Sequence, residues 1–318
     1  MTVEALSVYS IAGAIIWFEL RRVDFSQVIG SLEGAHLGWF IGATLAAFMV
    51  WFFGENLLFA RMFSYFHKHT GYRELLPATA AAYFLQAINI LVADAAMLLF
   101  LRRRKGVPWF AAGFTMAFFG FIDGIMFSAS IVAAGLLVPS SPTHDFLPYA
   151  GVALAAFLLI AAWWMWREPR TRFERWLRAR PSLVSFREAD LAIYGELLLI
   201  RFGMLAPQGF FLWVCMRAFD LHVPIVQVMA LTPLIFSIGG LPVTPAGLGF
   251  MQAVAVEAFA GLAPQAPVFA MSLAFSVAQI LYRIPLGLGS AHIFAQMVIR
   301  TGGQEPEVAA NLRHPLPE

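Results

Sequence analysis

Residues 238–252 read Ile-Gly-Gly-Leu-Pro-Val-Thr-Pro-Ala-Gly-Leu-Gly-Phe-Met-Gln and interrupt a long apolar run, 223–263. Two prolines and four glycines fall where hydropathy alone would draw a membrane helix. Proline removes a backbone donor, glycine weakens the helix, and hydrocarbon offers no water to the groups set free. Such backbone persists at membrane depth only when it packs inside protein or lines a polar cavity. Gly240, Pro242, Pro245, Gly247 and Gly249 therefore mark where a passage or binding site is to be sought. A half-helix starting at Gly247 would also aim its unpaired N–H groups at the break, which favours an anion.

The remainder of the chain agrees that its solvent is a bilayer. Apolar residues make up 60% of the sequence and charged residues 13%, against roughly 25% charged in soluble domains. Runs long enough to span recur at about 5–20, 37–60, 75–101, 107–138, 146–166, 190–216, 223–263 and 267–299. The expectation is an all-α polytopic membrane protein with about 6–8 transmembrane helices and two broken or re-entrant helical hairpins. One integral membrane domain covers 1–300, and the polar, proline-containing stretch 301–318 reads as a disordered tail. Glu4 at the front of the first run and Arg21-Arg22 behind it argue for an uncleaved helix rather than a signal peptide. A lone Cys215 excludes an internal disulfide and a cysteine metal cluster.

Lys and Arg positions orient the spans. Seven arginines lie in 167–189, and Arg102-Arg103-Arg104-Lys105 form a second cluster, with two spans and an uncharged loop between them. Both clusters fall on the cytoplasmic side by the positive-inside rule. Arg61, Lys68 and Arg73 look cytoplasmic too, which conflicts with a straight span at 75–101 and fits a re-entrant hairpin turning near Asn89–Asp94. The hairpin topology puts both termini in the cytoplasm, but the two topologies differ by one basic residue, so charge counting leaves both open. The broken run 223–263 would be a second hairpin entered from the opposite side. Two such hairpins define an inverted repeat, although no residue-level repeat accompanies it.

Charges inside spans cost about 2.5–3.5 kcal/mol each on insertion scales, so each should face protein or water. Glu257 shares a period-four set with Gly249, Ala253 and Gly261, a small-residue stripe carrying one carboxylate. Arg283 lies on a face with Gln279, Gly287 and Ala291, just before Pro285, and its fork suits a phosphate. Glu196 and Arg201 are five apart, too far around a helix to pair, so each needs another partner. Pro207 and Gly209 in the same run suggest a kink. Asp94, beside Gln86 and Asn89, and Asp123, between Gly120 and Gly124, complete the set, while Glu55 is placed near a surface. For every one of these the alternative is a buried ion pair that only fixes packing.

Asn89-Ile-Leu-Val-Ala-Asp94, the following Arg102–Lys105 cluster, Phe-Ile-Asp123-Gly and Pro242-Val-Thr-Pro-Ala-Gly-Leu-Gly249 occur in an order that resembles the flippase-like membrane domain of the lysylphosphatidylglycerol synthase family. The resemblance spans about 5–300 and implies movement of lipid between leaflets, without the soluble aminoacyl-transfer domain. Phe250-Met251-Gln252 stands where the family commonly carries an acidic residue, which bears on which lipid is moved.

The functional expectation is flipping or scrambling of an anionic phospholipid or lipid-linked headgroup across a bacterial-type inner membrane. Membrane lipids are the expected partners, a homo-oligomer stays open, and nucleic acid is not expected. Two alternatives remain, a secondary transporter for a small solute and an intramembrane enzyme acting on a lipid-linked substrate. No phosphate-binding glycine loop or HExxH occurs, so no cofactor, metal or ATP drive is expected. His67-Lys-His69 lacks a carboxylate cluster that would make it a metal site. Residues 170–180 set Phe173, Trp176 and Leu177 among arginines, the pattern of an interfacial helix ended by Pro181.

Overall fold

The structure, a computed structural model, describes residues 25–67, 69–87, 90–138, 147–178, 183–239 and 249–300. The expectations for 5–20, Asn89, Gly240, Pro242, Pro245, Gly247 and the tail lie outside those residues. Among the described residues all regular structure is helical. Five helices are long and apolar enough to cross a membrane, and the chain is a multi-pass membrane protein.

Helix α1 (Phe25–Glu33) precedes the long α2 (Leu37–Phe66). The run 75–101 is divided into α3 (Tyr72–Gln86) and α4 (Ile90–Lys105). Each is roughly 22–24 Å long, short of the ~30 Å hydrocarbon core. Their far ends meet, since Lys105 Nζ donates to Glu74 Oε2 and to the His69 carbonyl, both at 2.8 Å. α5 (Trp109–Leu137) starts at Pro108, whose missing N–H costs nothing at a helix entrance. α6 (Leu147–Trp166) leads to the short α7 (Arg172–Arg178) and α8 (Val184–Glu188).

α9 (Leu191–Ala218) is capped by Asp190, whose side chain accepts from the Ile193 N–H at 2.8 Å. It stays helical through Pro207. The run 223–263 contains α10 (Ile225–Gly239) and α11 (Phe250–Ala258), followed by α12 (Gln265–Arg300), which continues through Pro285.

α2 and α9 lie antiparallel along their whole length. At one end Arg61 pairs with Glu196 and the Tyr65 hydroxyl donates to the Glu188 carbonyl at 2.9 Å. At the other, the His36 N–H donates to the Ala218 carbonyl at 2.8 Å, and the rings of Phe40 and Phe219 meet edge to face. Gly54 permits their close approach, because a β-carbon there would stand 2.5 Å from Met204 Cγ. α12 crosses α3 in the same way, with Gly287 against Phe84. Two apolar cores result. One, at the end carrying Arg61 and Lys105, joins α2, α3, α4, α5 and the start of α9 around Phe63, Phe100, Phe118 and Leu197. The other joins α1, the start of α2 and the end of α5 to α9, α10, α11 and α12 around Met216, Leu231, Phe259 and Phe269. Between them lies a small aromatic group, Phe48, Phe52 and Tyr83, edged by Trp51 and Tyr282.

The small-residue stripe expected on α11 does not form. The helix ends at Ala258, and Gly261 sits beyond it with φ +77, so it shares no helical face with Gly249 and Ala253. Gln252, Ala255, Val256 and Ala258 form the buried side instead, and Glu257 is exposed. The Gln252 hydrogen bonds to Ser272 and Ser276 set which side of α11 meets α12, and the Glu257 carboxylate falls outside that side.

Candidate functional site

Five helices bring a polar cluster into the gap between the two apolar cores. Arg201 on α9 is 7% exposed, and its Nη2 donates to Asp123 Oδ2 on α5 at 2.6 Å. A buried guanidinium needs such a counter-ion, because an unpaired charge in low dielectric is costly. The guanidinium also lies 4.7 Å from the Trp51 ring and 5.2 Å from the Phe119 ring, whose faces are electron-rich.

Glu55 stands one turn beyond Trp51 on α2 and accepts a hydrogen bond from the Tyr83 hydroxyl of α3. Its neighbour Asn56 fixes that pairing. Asn56 Nδ2 donates to the Tyr72 carbonyl at 2.9 Å, and Thr79 Oγ1 donates to Asn56 Oδ1 at 2.8 Å, locking α3 onto α2. Arg283 on α12 lies 5.9 Å from the Tyr83 ring. Gln279 holds that face of α12 on α2, its Nε2 donating to the Thr44 carbonyl at 3.3 Å, while Tyr282 hydroxyl and Thr44 Oγ1 stand 2.9 Å apart. Glu55 is within electrostatic reach of both guanidinium groups, Arg201 more strongly than Arg283.

The cluster thus sets two carboxylates against two guanidinium groups and is balanced in charge. It is not balanced in hydrogen bonds. Asp123 Oδ1, Arg201 Nη1 and Arg283 Nε are enclosed yet find no partner among the described residues. Buried polar atoms are nearly always satisfied, so these three point at a site for water or a polar ligand. Glu55, Asp123 and Arg283 lie between helices and are half-buried. Counted from the termini of α2, α5 and α9 at the end where Arg61 meets Glu196, Glu55, Asp123 and Arg201 lie roughly 15–21 Å along helices about 42–45 Å long, near their midpoints. That is close to the middle of a ~30 Å hydrocarbon layer.

Of the candidates read from the sequence, Asp123, Arg201 and Arg283 come together here. Glu196 does not, pairing with Arg61 toward the end of the bundle. Asp94 is half-buried in the first half of α4. Gln252 and Gly249 are engaged in packing. Gly249 takes φ +82 at the N-cap of α11, and its N–H donates to Gln252 Oε1 at 2.6 Å. Gln252 Nε2 donates to the Ser272 carbonyl at 3.2 Å and Ser276 Oγ at 2.9 Å. The Gln252 side chain therefore joins α11 to α12.

Glu55, Tyr83 and Trp51 were missed. The span drawn at 37–60 ends six residues early, which moved Glu55 toward a surface it does not occupy. Its signal was present, since Glu55 is the single charge in that run and sits one turn from Trp51.

A comparison with curated proteins returned no match. The family model for the lysylphosphatidylglycerol synthase TM region matches residues 5–287, a stretch that contains every member of the cluster. With that match covering most of its length, the chain belongs to the lysylphosphatidylglycerol synthase TM region family.

Proposed function

We propose that the protein moves phospholipid headgroups across a bacterial-type inner membrane, with the polar cluster of Glu55, Tyr83, Asp123, Arg201 and Arg283 as the point where the headgroup crosses mid-depth. Family membership supports a lipid-related role. The observation that carries the finer reading is the pair of arginines with enclosed, unpartnered donors, Arg201 Nη1 and Arg283 Nε. A phosphodiester offers the acceptors both lack, and guanidinium binds phosphate through paired hydrogen bonds. Glu55 and Asp123 are the formal counter-charges to the two arginines. An entering phosphate takes the place of a carboxylate beside a guanidinium while the acyl tails stay in the bilayer.

In this reading α3 and α4 form a re-entrant hairpin that enters and leaves at the Glu74–Lys105 end, and α10 with α11 supply the second, inverted one. The basic end faces the cytoplasm, as do both termini. Passage involves no chemical step on the lipid and needs no nucleotide.

The test is reconstitution of the full chain in vesicles carrying a fluorescent phosphatidylglycerol analogue in one leaflet. Loss of one charge-assisted hydrogen bond, about 1.5–3 kcal/mol, should slow transfer about ten- to a hundredfold in Arg201→Gln and Arg283→Gln. Wild-type vesicles that move no labelled lipid, or an Arg283→Gln protein as fast as wild type, would overturn the reading. Uptake of a small solute in place of lipid would favour a secondary transporter.

A further inference from the structure

The short helix α7 and its lead-in combine exposed aromatics with exposed arginines. Phe173 and Trp176 are 66% and 54% exposed, and their rings stack at 5.9 Å. Three residues apart, they share one face of the helix. Arg170, Arg172 and Arg175 are all exposed. On the helical wheel Arg172 and Arg175 both lie along one edge of the aromatic face, about 40° and 100° from Trp176.

The one acid within the helix is withdrawn from this surface. Glu174 Oε1 accepts from Arg167 Nη2 at 2.5 Å, and Oε2 accepts from the Arg170 and Thr171 N–H groups at 2.6 and 3.4 Å. Those hydrogen bonds, the Arg170 N–H foremost, hold its carboxyl below the usual glutamate range. Within 167–178 the other acid is Glu168, also exposed, so the three arginines leave this segment net positive, while Glu188 beside it pairs with Arg187.

The surface sits at a fixed depth. α7 follows the membrane-spanning α6 after five residues, and α6 ends in Trp163, Trp164 and Trp166. Trp163 and Trp166 are 57% and 45% exposed, the Arg167 guanidinium lies 5.4 Å from the Trp163 ring, and Trp166 Nε1 donates to the Ala189 carbonyl at 3.2 Å. Tryptophans in such a belt mark the level of the headgroups.

We infer that α7 is a recognition surface for anionic phospholipid, Phe173 and Trp176 seated among acyl chains and Arg170, Arg172 and Arg175 on the phosphates of the leaflet beside them. Charge complementarity and interfacial depth select that occupant. A basic aromatic helix lying in the membrane plane gains from apolar insertion and from anionic headgroups together. The site is distinct from the mid-depth cluster, and its lipids are bound in place and need not be transported.

Hydrogen exchange of the full chain in lipid nanodiscs tests it. With phosphatidylcholine alone, 170–178 should exchange faster than with one-third phosphatidylglycerol, by about fivefold or more, and about 0.5 M salt should remove most of the difference by shortening the Debye length to a few ångströms. Replacing Arg170, Arg172 and Arg175 by Gln should abolish the lipid dependence while exchange in α2 and α9 is unchanged, and replacing them by Lys should retain it. Equal protection in the two lipids, or a Gln variant that keeps the difference, overturns the inference. Protection conferred by a soluble acidic protein and not by anionic lipid overturns it as well. Failure of lipid transfer in vesicles would leave these outcomes untouched.

Discussion

Asp123 and Arg201 show how a charge survives in this interior. Arg201 is the more enclosed of the two, and Asp123 is its direct counter-ion. Replacing Asp123 by Asn should therefore cost about 3 kcal/mol, because it strands a buried guanidinium. The double variant with Arg201→Gln should recover part of that loss, giving a coupling energy above about 1 kcal/mol in chemical denaturation of detergent-solubilised protein. Gly287 makes a steric counterpart. A β-carbon there would meet Phe84 Cβ, so Gly287→Ala should cost about 1–3 kcal/mol, and shortening Phe84 to Ala should leave that cost in place because the Cβ remains. Much of this was legible in the sequence, because intramembrane charges are few and expensive. Glu55 was not, since its depth depends on where α2 ends, and hydropathy fades before the helix does.

At the scale of elements, the α3–α4 hairpin is pinned at its outer end by Glu74 with Lys105 and Arg104, and joined to α2 through Asn56 and Thr79. Cysteines placed at the exposed Arg73 and Arg102 in a Cys215→Ser background should react with a membrane-impermeant thiol reagent from one side only. Labelling from opposite sides would make 75–101 a crossing. His67 marks another element contact. Its Nε2 stands 2.8 Å from Thr115 Oγ1, which in turn stands 2.8 Å from Ser185 Oγ, tying the ends of α2, α5 and α8. Burial lowers the His67 pKa, against an opposing pull from Glu188. A depressed folded value means the unfolded chain takes the proton first, so the contribution is present above the ordinary value of about 6.5 and is lost as pH falls through the lower folded one. Melting temperature should drop between pH 7.5 and 5 in the wild type, and less in His67→Gln. The sequence offered His67-Lys-His69 only as an unpromising metal motif, because Thr115 and Ser185 are distant in the chain.

For the whole molecule, the division into two apolar cores with charge between them is what a passage requires. A bundle with one continuous core would give a headgroup nothing to hold at mid-depth. Glu55→Gln removes one of the two carboxylates while leaving an acceptor for the Tyr83 hydroxyl, so the fold should hold while the site gains positive character. Binding of anionic lipid should then tighten and its transfer slow, read by native mass spectrometry beside the vesicle assay. Unchanged lipid retention and rate would remove Glu55 from the path.

Composition and run length alone determined that the chain is helical, multi-pass and embedded, because hydrocarbon forces every backbone group into internal hydrogen bonds. The order of its polar motifs was enough to place the family. Which charges meet was decided only by tertiary structure. Arg201 finds Asp123 seventy-eight residues away, Glu55 finds Tyr83 through the Asn56 clamp, and Glu257 turns outward because α11 is short and buries its other side. Pattern along a helix fixes which face a residue is on. What that face meets depends on how antiparallel helices register against one another, and here the register is set by close contacts such as Gly54 on Met204 and Gly287 on Phe84.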